Sequence, residues 1–275
     1  MKQTTVLRSA TCKGIGLHSG KDVCLTIKPA DAGTGIVFVR TDLPGRPQVK
    51  VNATNVTSTL RATTVEDNGV KLFTIEHLMS AFHAMAIDNC LVEIDAEEPP
   101  VTDGSAKVFC ELIKEAGKTD LAAERKEIVI DRVFRVDDKD RFVMIVPYDG
   151  FRVSFTSINP HPLIGLQYSD VDIWTDYETE IAAARTIAYE KEIEGLRSMG
   201  LGLGGTLENV IVYNDEGWMN ELRYPDELVR HKVLDLVGDL RLAGIVRGHV
   251  IAVKSAHELN TKLAKLIYEA YKDRR

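Results

Sequence analysis

The sequence predicts an α+β fold of two similar domains, each a β-sheet covered on one side by two α-helices. Three observations predict it. Alternating apolar segments open both halves; a strand between two helices closes both; a polar stretch, "KTDLAAERK", separates them near residue 122. The domains are placed at 1–122 and 123–275, and 275 residues is enough for two medium-sized units.

In the first half, "KDVCLTIKPA", "GIVFVRTD" and "QVKVNATNV" carry apolar residues at the two-residue period of strands. A helix follows over 74–86, with Thr74 as its N-cap, since a threonine hydroxyl can accept from the first free amides. "NCLVEIDA" is a strand, and "SAKVFCELIKEAG" a helix that Gly117 ends. The second half repeats the order. "EIVIDRVFRV", "RFVMIVPY" and "FRVSFTSI" are strands; a helix at 228–244 comes later, then the strand "GHVIAVKSA" and the helix "HELNTKLAKLIYEAYK". The duplication is one of elements, not of residues. Extra material at 43–70 and 163–215 interrupts the halves, and insertions of that size in compact domains usually carry function.

Composition narrows the class. An apolar fraction of 44% and a charged fraction of 27% are those of a soluble globular protein. No apolar run approaches the ~20 residues of a membrane span. The net charge of -7 argues against a nucleic-acid partner, which needs a concentrated basic surface. The one dense basic cluster, "KDRR" at 272–275, is read as a solvated tail. "MKQTTVLRSATCKG" has no signal-peptide core, so a cytoplasmic location is expected. Cys12, Cys24, Cys90 and Cys110 show no CxxC spacing and are expected as free, buried thiols.

The helix "LVRHKVLDLVGDLRLAG" carries the sharpest signal. His231, Asp235 and Asp239 fall at i, i+4 and i+8, within an arc of about 80° at 100° per residue, with Lys232 beside them. Val233, Leu234, Leu236, Val237 and Leu240 take the opposite arc. A solvated face is one reading. Against it, such faces prefer long Glu, Lys and Gln to the poor helix former Asp, and Leu242 ends the polar stripe one turn on. His and Asp at i, i+4 can also place a nitrogen and an oxygen on one metal ion.

Two further elements could complete such a site. In "FTIEHLMSAFHAM", Glu76 and His77 adjoin, so that an imidazole could bind metal while a carboxylate serves as base. His83 lies about 240° round the helix from His77 and cannot share the site. In "KSAHELN", His257 is either a neighbour of a helix cap or a general acid, its ring held by Asp239. "GLGLGG" at 200–205 has the letters of a dinucleotide motif in reversed context, a charged helix before it and a strand after it, and is read as a flexible loop approaching a ligand.

Taken in order, "GIGLHSGK", "TIEHL", "DGSA", "ART", "GLGLGG", "LRYPDELVRHKVLDLVGDL" and "KSAHELNTKL" resemble the zinc-dependent UDP-3-O-acyl-N-acetylglucosamine deacetylases of lipid A synthesis, from about residue 5 to 272. The resemblance implies a Zn2+ ion held by His77, His231 and Asp235, with Glu76 as general base, His257 as general acid and Asp239 orienting it. It assigns Thr186 to the oxyanion and Lys232 to catalysis or diphosphate contact. It also implies the same duplicated architecture, with helix layers packed between the sheets and inserts shaping an acyl-chain passage. The implied partner is a small molecule, a UDP-linked acylated amino sugar, with transient membrane-surface contact and no obligate protein partner.

The sequence departs from that pattern at the nucleotide end. Where many members place aromatic rings flanking the uracil, it has Ile187 after Thr186, and Asn159 in "INPHP"; Tyr189, two residues further on, is expected to line the acyl passage and not the uracil site. A related deacetylase acting on another N-acetylated sugar or small amide, and a metal-stabilised binding protein without catalysis, are the alternative expectations. Iron is an alternative metal for a His-His-Asp set.

Overall fold

Val23, Leu25 and Ile27 are buried while the residues between them reach the surface, and the same alternation runs through the last strand of the chain. That pattern builds sheets with one face turned to a core. The computed structural model describes residues 1–272. Its first half contains β1 (Lys2–Val6), β2 (Ala10–Ile15), β3 (Asp22–Lys28), β4 (Ile36–Arg40), β5 (Gln48–Lys50), β6 (Val56–Ser58), β7 (Thr64–Asp67), β8 (Val70–Leu72), α1 (Glu76–Ala84), β9 (Cys90–Ile94), α2 (Lys107–Ala116) and β10 (Lys118–Glu124). The second contains β11 (Ile128–Val129), β12 (Phe134–Asp138), β13 (Arg141–Val146), β14 (Phe151–Ile158), β15 (Leu166–Asp172), α3 (Ile173–Glu180), β16 (Ile187–Tyr189), α4 (Glu190–Ser198), β17 (Ile211–Tyr213), α5 (Glu227–Arg241), β18 (Val246–Val253) and α6 (His257–Tyr271).

The duplication is topological. One sheet runs β2-β3-β9-β4-β5 and the other β12-β13-β18-β14-β15, with β11 also on β18. In each, the late strand lies between two hairpin-like pairs, antiparallel to one and parallel to the other. A helix precedes that strand and a helix follows it: α1 and α2 in one half, α5 and α6 in the other. The inserts add a small sheet, β6-β7-β8, to the first half and α3, α4 and the pair β16-β17 to the second.

The helices form the interior layer. α1 packs on α5, α5 on β14 and β15, α6 on β12 and β13, and α2 on β2. Val233, Leu234, Leu236, Val237 and Leu240 of α5 are wholly buried, each contributing about 1.5–3 kcal/mol relative to exposure. α1 and α5 touch through backbone. A Cβ on Gly238 would lie 2.0 Å from the carbonyl oxygen of Glu76, so only glycine permits this crossing.

Several expectations are corrected. Thr74 does not cap α1. Its φ is 55°, its hydroxyl is buried without a hydrogen-bond partner, and α1 starts after Ile75 with no side-chain cap. "QVKVNATNV" is not one strand: β5 ends at Lys50, because the Asn52 and Asn55 side chains then take up nearby amides and turn the chain before β6 begins at Val56. "KTDLAAERK" is a strand in its own right, β10, antiparallel to β1 as far as Glu124. All four cysteines are free, two of them half-buried. No helix among the described residues is long and apolar enough to cross a membrane. Of the basic cluster at 272–275, residues 273–275 lie outside the described residues.

Candidate active site

Packing α1 against α5 brings the polar stripe of α5 onto the first turn of α1, in the interior rather than at the surface. His231, Asp235 and Asp239 are only 3%, 3% and 1% exposed, which settles the stripe against a solvated face. His77 joins them: ligand atoms of His77, His231 and Asp235 all lie within 4.8 Å of one another. The two Nε2 atoms stand 3.8 and 3.4 Å from Asp235 Oδ1 and the rings meet edge to face.

The donor set suits a divalent metal. His231 Nδ1 faces the Ala184 carbonyl at 3.1 Å, so it carries the proton and leaves a lone pair on Nε2. Burial, reinforced by the neighbouring His231, pushes His77 down to about 3 and keeps it neutral; burial likewise lowers His231. Against desolvation, His231, Lys232, His257 and His77 hold Asp235 well below the usual carboxylate range. Two neutral imidazoles and a carboxylate, converging at distances too long for hydrogen bonds, are what a four-coordinate cation needs from a protein.

Beside these ligands sit an acid and a base. Glu76, 3% exposed, accepts from Thr63 N–H at 3.1 Å, and burial raises it to about 8. His257 is the first residue of α6. Its Nδ1 donates to Asp239 Oδ2 at 2.9 Å and its Nε2 lies 3.8 Å from Glu76 Oε1. Although desolvation opposes it, the carboxylates of Asp239 and Asp235 lift His257 to about 10. Asp239 is itself fully engaged, receiving Thr63 Oγ1–H at 2.6 Å and Asn260 Nδ2–H at 3.0 Å. Glu76, Asp235 and His257 also cluster within 4.8 Å, but the engaged, cationic ring of His257 suits proton transfer better than metal ligation.

A cleft of about 530 Å³ opens next to this cluster. Lys232 lines it and donates from Nζ to Asp235 Oδ2 at 2.8 Å; desolvation opposes its charge, but Asp235 raises its pKa. Thr186 lines it too, on a segment held by backbone bonds to Gly104 and Ile211. The apolar part includes Ile193, Leu196 and Val212; the polar part includes Arg61, Asn159 and Glu192. Arg61, from the first insert, pairs with Glu192 of the second at 2.9 Å. Tyr189 stacks on Tyr213 at 4.9 Å beside Ile187.

His83 lies apart from the ligands, donating from Nδ1 to the Val237 carbonyl and stacked on Phe151 at 4.5 Å. Thr63 and Asn260 are not among the site residues expected from sequence, and His18 is expected only as a surface or core residue. Thr63 bridges the base and the carboxylate that holds the acid. His18 lines the cleft with Nε2 buried and unpartnered. "HELN" places Asn260 three residues after His257, on the same helical face, the one signal available for these three.

A buried His-His-Asp group flanked by a carboxylate and a cationic imidazole, on a duplicated α+β frame, is the equipment of a metal-assisted amide hydrolase. The comparisons sharpen this class. The chain belongs to the UDP-3-O-acyl N-acetylglycosamine deacetylase family, whose model matches residues 3–269. It is 45% identical over 271 residues to the UDP-3-O-acyl-N-acetylglucosamine deacetylase of Hahella chejuensis, covering 96% of this chain and 90% of that one. It is 44% identical over 271 residues to that of Anaeromyxobacter dehalogenans (96% and 87%), and 43% identical over 265 residues to that of a Geobacter strain (95% and 87%).

Proposed function

We propose that the chain hydrolyses the N-acetyl amide of a UDP-3-O-acyl-N-acetylglucosamine to acetate and the free amine, the committed step of lipid A synthesis. The observation that carries the reading is the pairing of Glu76 and His257, 3.8 Å apart, next to a His77–His231–Asp235 group beside one cleft. His77, His231 and Asp235 would hold a Zn2+ ion. Zinc there supplies a Lewis acid that activates water and polarises the amide carbonyl, and its charge favours the ionised form of Glu76.

Glu76 takes a proton from the attacking water. Its burial strengthens it as a base, and the Thr63 amide keeps its carboxylate in place. Negative charge developing on the carbonyl oxygen is met by the Thr186 hydroxyl on the cleft wall. The amine must leave protonated, because an amide anion is a very poor leaving group. His257 delivers that proton from Nε2, while Asp239, fixed by Thr63 and Asn260, keeps the ring oriented and charged. Lys232 at the rim serves the charged part of the substrate.

The apolar end of the cleft suits an acyl chain, and Tyr189 over Tyr213 offers the base a face where Asn159 and Ile187 do not. The same two residues motivate a second reading, a zinc deacetylase acting on another N-acetylated sugar. We divide the chain into two domains near the expected 122/123 boundary, at the end of β10, with the site between α1 and α5, and place it in the cytoplasm, touching the membrane surface only through its substrate. Acetate release from UDP-3-O-acyl-N-acetylglucosamine by wild type, Glu76→Ala and His257→Ala tests this. Turnover by wild type and a loss of at least ~100-fold in both variants is expected; zinc-loaded wild type that releases no acetate refutes the substrate.

A further inference from the structure

Glu98 is a fully buried carboxylate outside the machinery described above. Among the described residues it has no ion-pair partner; main-chain amides hold it instead. His18 N–H donates to both of its oxygens at 3.0 and 3.1 Å, and Ser19 donates to Oε2 from N–H at 3.0 Å and from Oγ at 2.9 Å. Burying a carboxylate without a counter-cation is costly unless its lone pairs are filled, and here they are. Even Gly16 is shaped to this group: a Cβ there would lie 2.3 Å from Glu98 Oε2.

The turn that Glu98 clamps carries a second loop. Gly204 N–H donates to the Leu17 carbonyl at 3.0 Å, Leu203 N–H to that of His18 at 3.2 Å, and Gly202 N–H to His18 Nδ1 at 3.2 Å. The approach is so close that a Cβ on Gly204 would sit 2.2 Å from the Gly16 carbonyl oxygen. This explains Gly204 of "GLGLGG", which allows backbone to lie on backbone, while Gly200 and Gly202 take up positive φ with open space around them. The joined loops supply Leu17, His18, Gly202, Gly205 and Thr206 to the cleft wall. The bond from Gly202 also fixes the tautomer of His18, so that Nε2 carries its proton.

We propose that Glu98 is a positioning residue for acyl-substrate binding. Acting through the 16–20 turn, its carboxylate fixes the 202–205 loop as one wall of the cleft. This rests on the deacetylase reading for its substrate, and on the hydrogen bonds alone for its linkage. Glu98→Gln keeps the size but sets an N–H2 against the His18 amide where Oε1 accepts, weakening the clamp.

In zinc-loaded Glu98→Gln, KM for a long-acyl UDP substrate rises tenfold or more. kcat stays within twofold, and KM for a short-acyl analogue stays within threefold. Gly204→Ala, which parts the loop from the turn without touching Glu98, gives the same chain-length-dependent rise. Amide exchange at 202–204 quickens at least tenfold in Glu98→Gln while amides of α5 are unchanged, a readout that needs no turnover. Equal losses with long and short chains, a fall in kcat alone, or unaltered exchange at 202–204 would each overturn the proposal. Wild type inactive on the UDP substrate would instead refute the deacetylase reading, and the exchange measurement would still judge the linkage.

Discussion

Gly238→Ala sets two physical effects against each other. Gly238 lies inside α5, where alanine is the better helix former by about 1 kcal/mol. Propensity alone therefore predicts a more stable protein. The crossing with α1 predicts the reverse. The new Cβ would lie 2.0 Å from the Glu76 carbonyl oxygen and 2.8 Å from its carbon, roughly 1.4 Å short of ordinary contact at 3.4 Å. Both atoms are backbone, so no rotamer change can relieve the clash, and α1 must shift by about an ångström. Overpacking of this kind costs about 1–3 kcal/mol. The shift also carries Glu76 and His77 away from His231, Asp235 and His257, which stand on α5 and α6. A misplacement of about 1 Å costs on the order of 100-fold in rate. Thermal melting, zinc content and acetate release on one preparation test this. A lowered midpoint, weaker zinc retention and a rate reduced about 100-fold are expected. A variant that melts higher and keeps full activity would refute the claim that this crossing sets the site geometry.

Other perturbations probe the acid and its support. Asp239→Asn removes the carboxylate that helps lift His257 to about 10. An acid must be protonated to act, so activity is lost as pH rises through its pKa, and the basic limb of the rate profile should move to lower pH. A limb that stays in place would exclude His257 as the acid. Thr63→Val deletes the hydroxyl that donates to Asp239 at 2.6 Å but keeps the amide that serves Glu76. Zinc binding should be unchanged while kcat falls about 10–150-fold, since one buried hydrogen bond to a charged group contributes about 1.5–3 kcal/mol; a change in KM alone would contradict a role in orienting the acid. Glu76→Gln should retain zinc and lose at least ~100-fold in kcat, whereas a non-catalytic binding protein would show no such difference.

The elements that frame the site were legible because they are strongly periodic. α5 shows its apolar arc and polar stripe directly in 228–244, and the shared order of strands and helices in the two halves became the matching sheet orders. His231, Asp235 and Asp239 were found together because helical spacing ties them locally. Thr63 was not, because its contact with Asp239 spans 176 positions along the chain and nothing in "RATT" announces it. Thr74 misled for a related reason: a threonine before a helix is a cap only if its backbone is extended, and here φ is 55°. Glu98 looks like one of two adjoining acidic residues in a loop, yet it is buried and Glu97 is not. The partners that decide its role sit 79 and 80 residues earlier in the chain.

One zinc ion, held by His77, His231 and Asp235, is the proposed source of deacetylase activity. Zinc titration into metal-free protein, with acetate release followed at each addition, tests it most directly. Turnover should be absent without metal and reach its maximum at one equivalent per chain, and His231→Ala should recover little at any stoichiometric addition. Full turnover by the metal-free protein, or a stoichiometric zinc complex that releases no acetate, would rule out a zinc-dependent deacetylase.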